Sequence, residues 1–176
     1  MTDSTGDPVS DLEGEAFPLI PASAGAMIFD GRGRLLILKP NYKSGWTIPG
    51  GVMEATGESP WEACRREVLE ETGLDVQSAR LAAVDFRRPK PGRKGGIRFL
   101  FDCGALTDVT LESVIVQREE IEEFRVEELN AALELLAGPI RRRVRASTGQ
   151  DACVYLEDGR RVAAVEPVER PGTDRR

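Results

Sequence analysis

The chain has 176 residues, with 24 Lys+Arg against 30 Asp+Glu for a formal net charge of −6, and it contains no histidine. That length suits one domain with a full core and no disulfide staples. The missing histidine excludes Ser-His-Asp and Cys-His nucleophile pairs and every histidine-containing zinc site. Acid–base work is left to carboxylates, Lys, Tyr, Cys or metal-bound water, and hard carboxylate oxygens suit Mg²⁺, Mn²⁺ or Ca²⁺. Cys64, Cys103 and Cys153 form no CxxC pair, which reads as buried thiols in a reducing cytoplasm. No apolar run reaches the ~20 residues of a membrane span. We also expect no secretory signal, and the negative balance argues against general nucleic-acid binding.

Residues 1–17 hold five acidic side chains and few apolar anchors, and are expected to be a mobile leader. The globular domain is assigned to 18–145. Ala24 to Phe29 and Arg34 to Leu38 read as strands around an Asp30-Gly31 turn. Trp46 to Ile48 reads as a third short strand, stopped by Pro49-Gly50-Gly51. Ser59-Pro60-Trp61-Glu62 then opens a helix: Ser59 is an N-cap, Pro60 suits the first helical position, and Glu62 completes a capping box. Gly73 is its natural stop. Leu81 to Phe86 and Ile97 to Phe101 read as strands flanking a loop that carries Arg87, Arg88, Lys90, Arg93 and Lys94. A short strand over 123–126 precedes a helix expected over 127–136, which Gly138-Pro139 ends or kinks. A further helical turn is expected around Arg141 to Arg145. Residues 146–176 form a C-terminal extension with a hairpin over 153–164 and a loose tail.

The segment from Gly50 to Leu74 carries the chemistry. Glu67, Glu70 and Glu71 fall at i, i+3 and i+4, on one helix face. Like charges at that spacing destabilise a helix by a few tenths of a kcal/mol per pair, unless a divalent cation sits among them. Arg66 is placed to pair with a carboxylate and orient it. A solvated acidic face is the plainer alternative, but the glycine turn, capping box, arginine and glycine stop occur together.

From Glu58 onward the segment matches G-x5-E-x7-R-E-U-x-E-E-x-G-U, with U apolar, and so resembles the Nudix box. One departure stands: six residues, not five, separate Gly51 from Glu58. The resemblance implies an α/β fold, an α/β/α sandwich with a mixed sheet. It implies a metal-dependent pyrophosphohydrolase that cleaves nucleoside diphosphates linked to another moiety, with a small nucleotide-type substrate and Mg²⁺ or Mn²⁺ as cofactor. It implies Glu67, Glu70 and Glu71 as metal ligands, joined by the carbonyl of Gly50. Arg66 would orient them, and Gly51, Glu58 and Gly73 would be structural or stand behind the ligands. It also favours a homodimer. The alternative is a non-catalytic Nudix-fold nucleotide-binding or sensor module.

Family members often add a carboxylate from a later loop. Glu123 is the first candidate here and Glu120 the second, against the plainer reading of a solvated acidic loop. Arg87, Arg88 and Lys90 are candidates to contact substrate phosphates. Tyr42 and Phe86 are candidates to stack on a base or ribose, or else belong to the core or rim.

Overall fold

The computed structural model describes residues 20–106 and 114–165. The leader expected over 1–17 and most of the loose tail lie outside the described residues. In chain order the elements are β1 (Ala22–Phe29), β2 (Leu35–Pro40), β3 (Gly50–Val52), α1 (Pro60–Thr72), β4 (Arg80–Arg87), β5 (Gly96–Ala105), β6 (Ile121–Glu127), α2 (Leu129–Leu135), α3 (Gly138–Ser147), β7 (Val154–Glu157) and β8 (Arg160–Arg161).

Two-residue alternation divides the molecule into layers. On β1 and β2, Ala24, Ala26, Ile28, Leu36 and Leu38 enter one apolar layer, while Met27, Leu35 and Ile37 enter the other. Strands covered on both faces read as near-continuous apolar runs, as these do. The first layer also takes Ala63, Cys64 and Val68 from α1, and the second takes Ala132, Leu133 and Val144 from α2 and α3. The result is an α/β/α sandwich.

The sheet runs β6-β2-β1-β5-β4-β7-β8, and β3 pairs with β1 off that path. It is mixed: β1 with β5 and β4 with β7 are parallel, and the remaining pairs are antiparallel. The turn between β1 and β2 is built on the buried Asp30, whose Oδ1 accepts the N–H groups of Arg32 and Arg34 at 2.9 Å each. Among the described residues no helix is long and apolar enough to cross a membrane.

Three boundaries differ from the sequence expectation. Trp46 and Thr47 make only isolated bridges, to Leu136 and Leu38, and the strand proper is Gly50–Val52. The two glycines are not its stop but its substance, because Gly50 and Gly51 pair with Gly25 and Ala24 of β1. The helix expected over 127–136 begins later, since β6 stays paired to β2 through Glu127 opposite Leu35. Gly138-Pro139 does not merely end a helix: it starts α3, with Pro139 in the first turn where its missing N–H is harmless.

Candidate active site

Helix α1 is locally determined at both ends. Ser59 Oγ accepts the Glu62 N–H at 3.2 Å, and the Glu62 carboxylate accepts the Ser59 N–H at 2.7 Å. Gly73 closes the helix at φ 71°, and its N–H donates to the Leu69 carbonyl. This fixes the rotation of the helix and so aims its acidic face at β3. Glu71 is turned inward and is 3 % exposed. Its Oε2 accepts the Gly50 N–H at 2.8 Å, tying the last turn of α1 to the first residue of β3.

Arg66 gathers the other carboxylates. Its Nε and Nη2 donate to the two oxygens of Glu58 at 3.1 and 3.0 Å, a bidentate pairing. Its Nη1 donates to Glu67 Oε1 at 2.9 Å and Glu70 Oε2 at 3.1 Å, and Nη2 also reaches the Val52 carbonyl at 3.3 Å. The extra residue before Glu58 is absorbed in the exposed stretch 55–57, where Gly57 takes φ 89°. The Glu58–Arg66 pairing is therefore intact.

These contacts sort the carboxylates electrostatically. Hydrogen bonds from Arg66 and the Glu54 N–H hold Glu58 below the usual carboxylate range. Burial pushes Glu67 up, against the pull of Arg66. Burial pushes Glu71 furthest, to about 7, with the Gly50 N–H and Lys43 offsetting and the charges of Glu67 and Glu120 adding. Among the described residues no three acidic groups converge on one point, because Arg66 holds Glu67 and Glu70 while Gly50 holds Glu71. The donor chemistry still fits a hard divalent cation. Glu67 and Glu71 are largely buried carboxylates with Glu70 and Glu120 near them, so the donors on offer are all oxygens; burial is the main reason both pKa values are raised, and the neighbouring carboxylates add to it.

Both glycines of β3 are required for contact. A Cβ on Gly50 would lie 2.3 Å from the Ala24 carbonyl oxygen, on a residue already at φ 139°. A Cβ on Gly51 would lie 2.3 Å from Glu67 Oε1. The first clash is with backbone and the second with the end of a flexible side chain. Gly50→Ala is thus expected to lower the thermal midpoint by about 4 °C or more, from roughly 2 kcal/mol of strain. Gly51→Ala is expected to lower it less and to act mainly by displacing the Glu67 carboxylate. Calorimetric melts of both variants check this.

The raised pKa of Glu71 also predicts a pH dependence in chelator. Below about 4.5 the group is protonated in both folded and unfolded chains, so its burial carries no charge penalty. Between about pH 4.5 and 7 the unfolded chain ionises while the folded one does not, so stability falls across that window by on the order of 2 kcal/mol and levels off once the buried group ionises above 7. Denaturant melts of the wild type and Glu71→Gln should converge near pH 4.5, with the variant the more stable at pH 8.

The other candidate residues separate. A cavity of about 440 Å³ lies on the α2–α3 face of the sheet and is lined by Gly50, Gly51, Tyr42 and Arg87, together with Lys43, Arg98 and Arg143. Phe86 lines a different depression, beside Ile20, Pro89 and Lys94, and Arg87 borders both. Arg88 is paired with Glu157 at the far edge of the sheet. Lys90 lies in a tight turn in which its backbone exchanges hydrogen bonds with Arg93 at 3.0 and 2.9 Å. Glu123 lies on β6 opposite Lys39 and is paired with Arg125 Nε at 2.8 Å. Glu120, by contrast, is close enough to act on both Glu67 and Glu71, and Asn41 anchors its turn by bonding the carbonyls of Glu119 and Glu120. The sequence reading passed over Lys43, Arg98 and Arg143. An acidic Asp85 inside the apolar run of β4 was the available signal that buried cations stand nearby.

A family model described as NUDIX domain matches residues 19–147. A MutT-like protein of Streptomyces ambofaciens is 32% identical over 102 residues, a stretch covering 56% of this chain and 63% of that one. The match thus leaves more than a third of that relative's length uncovered. The MutT protein of Methanosarcina mazei Go1 has a similar structure, with TM-score 0.62 and 24% identity, covering 77% of this chain and 100% of that chain. A mutator MutT protein of Bacillus halodurans is similar at TM-score 0.64 and 24% identity, covering 77% and 87%. At that identity these two structures speak for the fold alone.

Proposed function

The chain belongs to the Nudix family, and from that premise we propose that it hydrolyses the diphosphate bond of a nucleoside diphosphate linked to another moiety, with Mg²⁺ or Mn²⁺ as cofactor. The observation that carries this reading is the joining of Glu67, Glu70 and Glu71 by Arg66 and the Gly50 N–H at the edge of a substrate-sized cavity.

Glu67, Glu70, Glu71 and the Gly50 carbonyl would hold the cation. When bound, it neutralises diphosphate charge and acidifies water. The protein's own contributions are positioning and proton transfer. Arg66 fixes the rotamers of Glu67 and Glu70, and Glu58 fixes Arg66. Lys43, whose charge acts on Glu71 from the cavity wall, is placed to bind the diphosphate. Tyr42, 61 % exposed on the same wall, offers a ring face to a base or sugar. Glu120 is preferred to Glu123 as the additional carboxylate that takes a proton from the attacking water, since Glu123 is committed to Arg125. The absence of histidine is no obstacle to this chemistry.

A lengthened loop before Glu58 would favour the binding-module alternative if it displaced Arg66, but the bidentate Glu58–Arg66 pairing is intact. The test is a panel of nucleotide sugars, ADP-ribose, and canonical and oxidised nucleoside triphosphates, with Mg²⁺ and Mn²⁺ and with product identification. The expected result is metal-dependent release of a nucleoside monophosphate or equivalent phosphate product. Ligand-induced thermal stabilisation with no turnover across the panel would favour the binding module.

A further inference from the structure

The wall of the cavity remote from the carboxylates is cationic. Across the sheet, Val52 of β3 pairs with Ser23 of β1, Ser23 with Arg98 of β5, and Arg98 with Asp85 of β4. Strands lie about 4.8 Å apart, so the Arg98 backbone is about 10 Å from the β3 edge that holds Glu67 and Glu71. Arg98 shares the α2–α3 face of the sheet with Leu100, and Arg87 follows Asp85 on that same face two residues along β4. Arg143 comes down from α3 to complete the group.

Compensation is thin. Asp85 is fully buried, and one of its oxygens already accepts the Gly159 N–H at 2.8 Å. Its other oxygen is 3.4 Å from Arg143 Nη1. Among the described residues that is the one ion pair the three arginines make, and Arg98 Nη1 is turned onto the carbonyls of Pro21 and Ile97. Burial holds all three below the usual guanidinium range, Arg143 at about 10; neighbouring arginines add to the effect, while Asp85, and Asp158 at Arg87, oppose it without cancelling it.

We propose that Arg87, Arg98 and Arg143 form an oxyanion subsite, so that the substrate carries a second anionic group, a phosphate or carboxylate, on the part of the molecule remote from the scissile diphosphate. The glycine edge and Lys43 receive the diphosphate at one end of the cavity, and the arginine wall receives the second anion at the other. A guanidinium suits either group because its planar fork matches two oxygens at once. This rests on the diphosphate-hydrolase reading for the orientation of the substrate, but not for the existence of the subsite.

Two probe pairs separate the sources of the anion. UDP-glucose and UDP-glucuronate differ by a carboxylate, and ADP-ribose and its 2′-phosphorylated form differ by a phosphate. Their Kd values are measured by calorimetry on Glu71→Gln, in chelator so that no turnover consumes the probes, and their kcat/KM values on the wild type with Mg²⁺. The charged member of at least one pair is expected to bind about tenfold tighter or better. Arg87→Gln and Arg98→Gln should each remove most of that ratio, while Arg143 is left intact because its loss would strand Asp85. Circular dichroism confirms that the variants are folded, and Arg98→Lys should restore part of the ratio. Equal binding within both pairs, a preference that survives both substitutions, or no binding of any probe at millimolar concentration overturns the subsite. Binding with the expected ratio but no hydrolysis would sustain the subsite and sink the hydrolase reading. Hydrolysis with no preference would do the reverse.

Discussion

Glu71→Gln is expected to lower Mg²⁺-dependent kcat/KM by at least about 10³-fold while leaving the protein folded and, at pH 8, more resistant to denaturant. The two effects have one cause. Glu71 is nearly inaccessible, and burial lifts its pKa to about 7. A buried carboxylate without a cation is therefore a liability to the fold and an asset to the site. Glutamine preserves the acceptor for the Gly50 N–H and removes only the charge. Activity of the variant within tenfold of wild type would remove Glu71 from the site. A lowered midpoint at pH 8 would mean that its charge, not its hydrogen bond, supports the fold.

Arg66→Met is expected to lower kcat by about 10²-fold and the thermal midpoint by about 4–8 °C, from roughly 2 kcal/mol. The stability figure is kept well under that of a fully buried pair because the Arg66 side chain is 24% exposed. Without the guanidinium, Glu58 and Glu67 lose their partner and Glu67 and Glu70 lose their fixed orientation. A positioning role is separable from a structural one by two further measurements. The Mg²⁺ concentration for half-maximal activity should stay the same or fall, since a competing cation has been removed from among the carboxylates. Glu58→Gln combined with Arg66→Met should be less than additive in stability, because both act on one contact. Arg66→Lys should recover part of the stability but little of the rate, lacking the bidentate fork.

The parts of this site legible in sequence were those set by local rules. Ser59, Pro60, Glu62 and Gly73 announce the ends of α1, and helical spacing alone puts Glu67, Glu70 and Glu71 on one face. The parts that were not legible depend on pairing between distant segments. Gly50 and Gly51 carry no strand signature of their own, and only the close approach of β1 explains why they form a strand. Glu120 and Glu123 stand three residues apart in an acidic run, yet β6 register commits Glu123 to the face of Arg125 and leaves Glu120 beside α1. Pro139 ends one helix or begins the next by equal local right, and the packing of Val144 decides for the second. The arginine wall draws on β4, β5 and α3 together, so no window of sequence contains it. Arg88 and Lys90, candidates for substrate phosphates, and Phe86, a candidate to stack on a base or ribose, all fall outside the lining of the 440 Å³ cavity that Tyr42 and Arg87 share.

The most direct test of the central claim is phosphorus NMR of one nucleoside diphosphate derivative that the panel identifies as substrate, followed with the protein in chelator and then after addition of excess Mg²⁺. The account predicts an unchanged diphosphate signal in chelator. After Mg²⁺ it predicts loss of that signal and growth, in equal amounts, of two phosphomonoesters from a nucleotide sugar or ADP-ribose, or of one phosphomonoester and pyrophosphate from a triphosphate, none of this occurring with Glu71→Gln. Release of orthophosphate alone, or cleavage that proceeds equally in chelator or with Glu71→Gln, would contradict it.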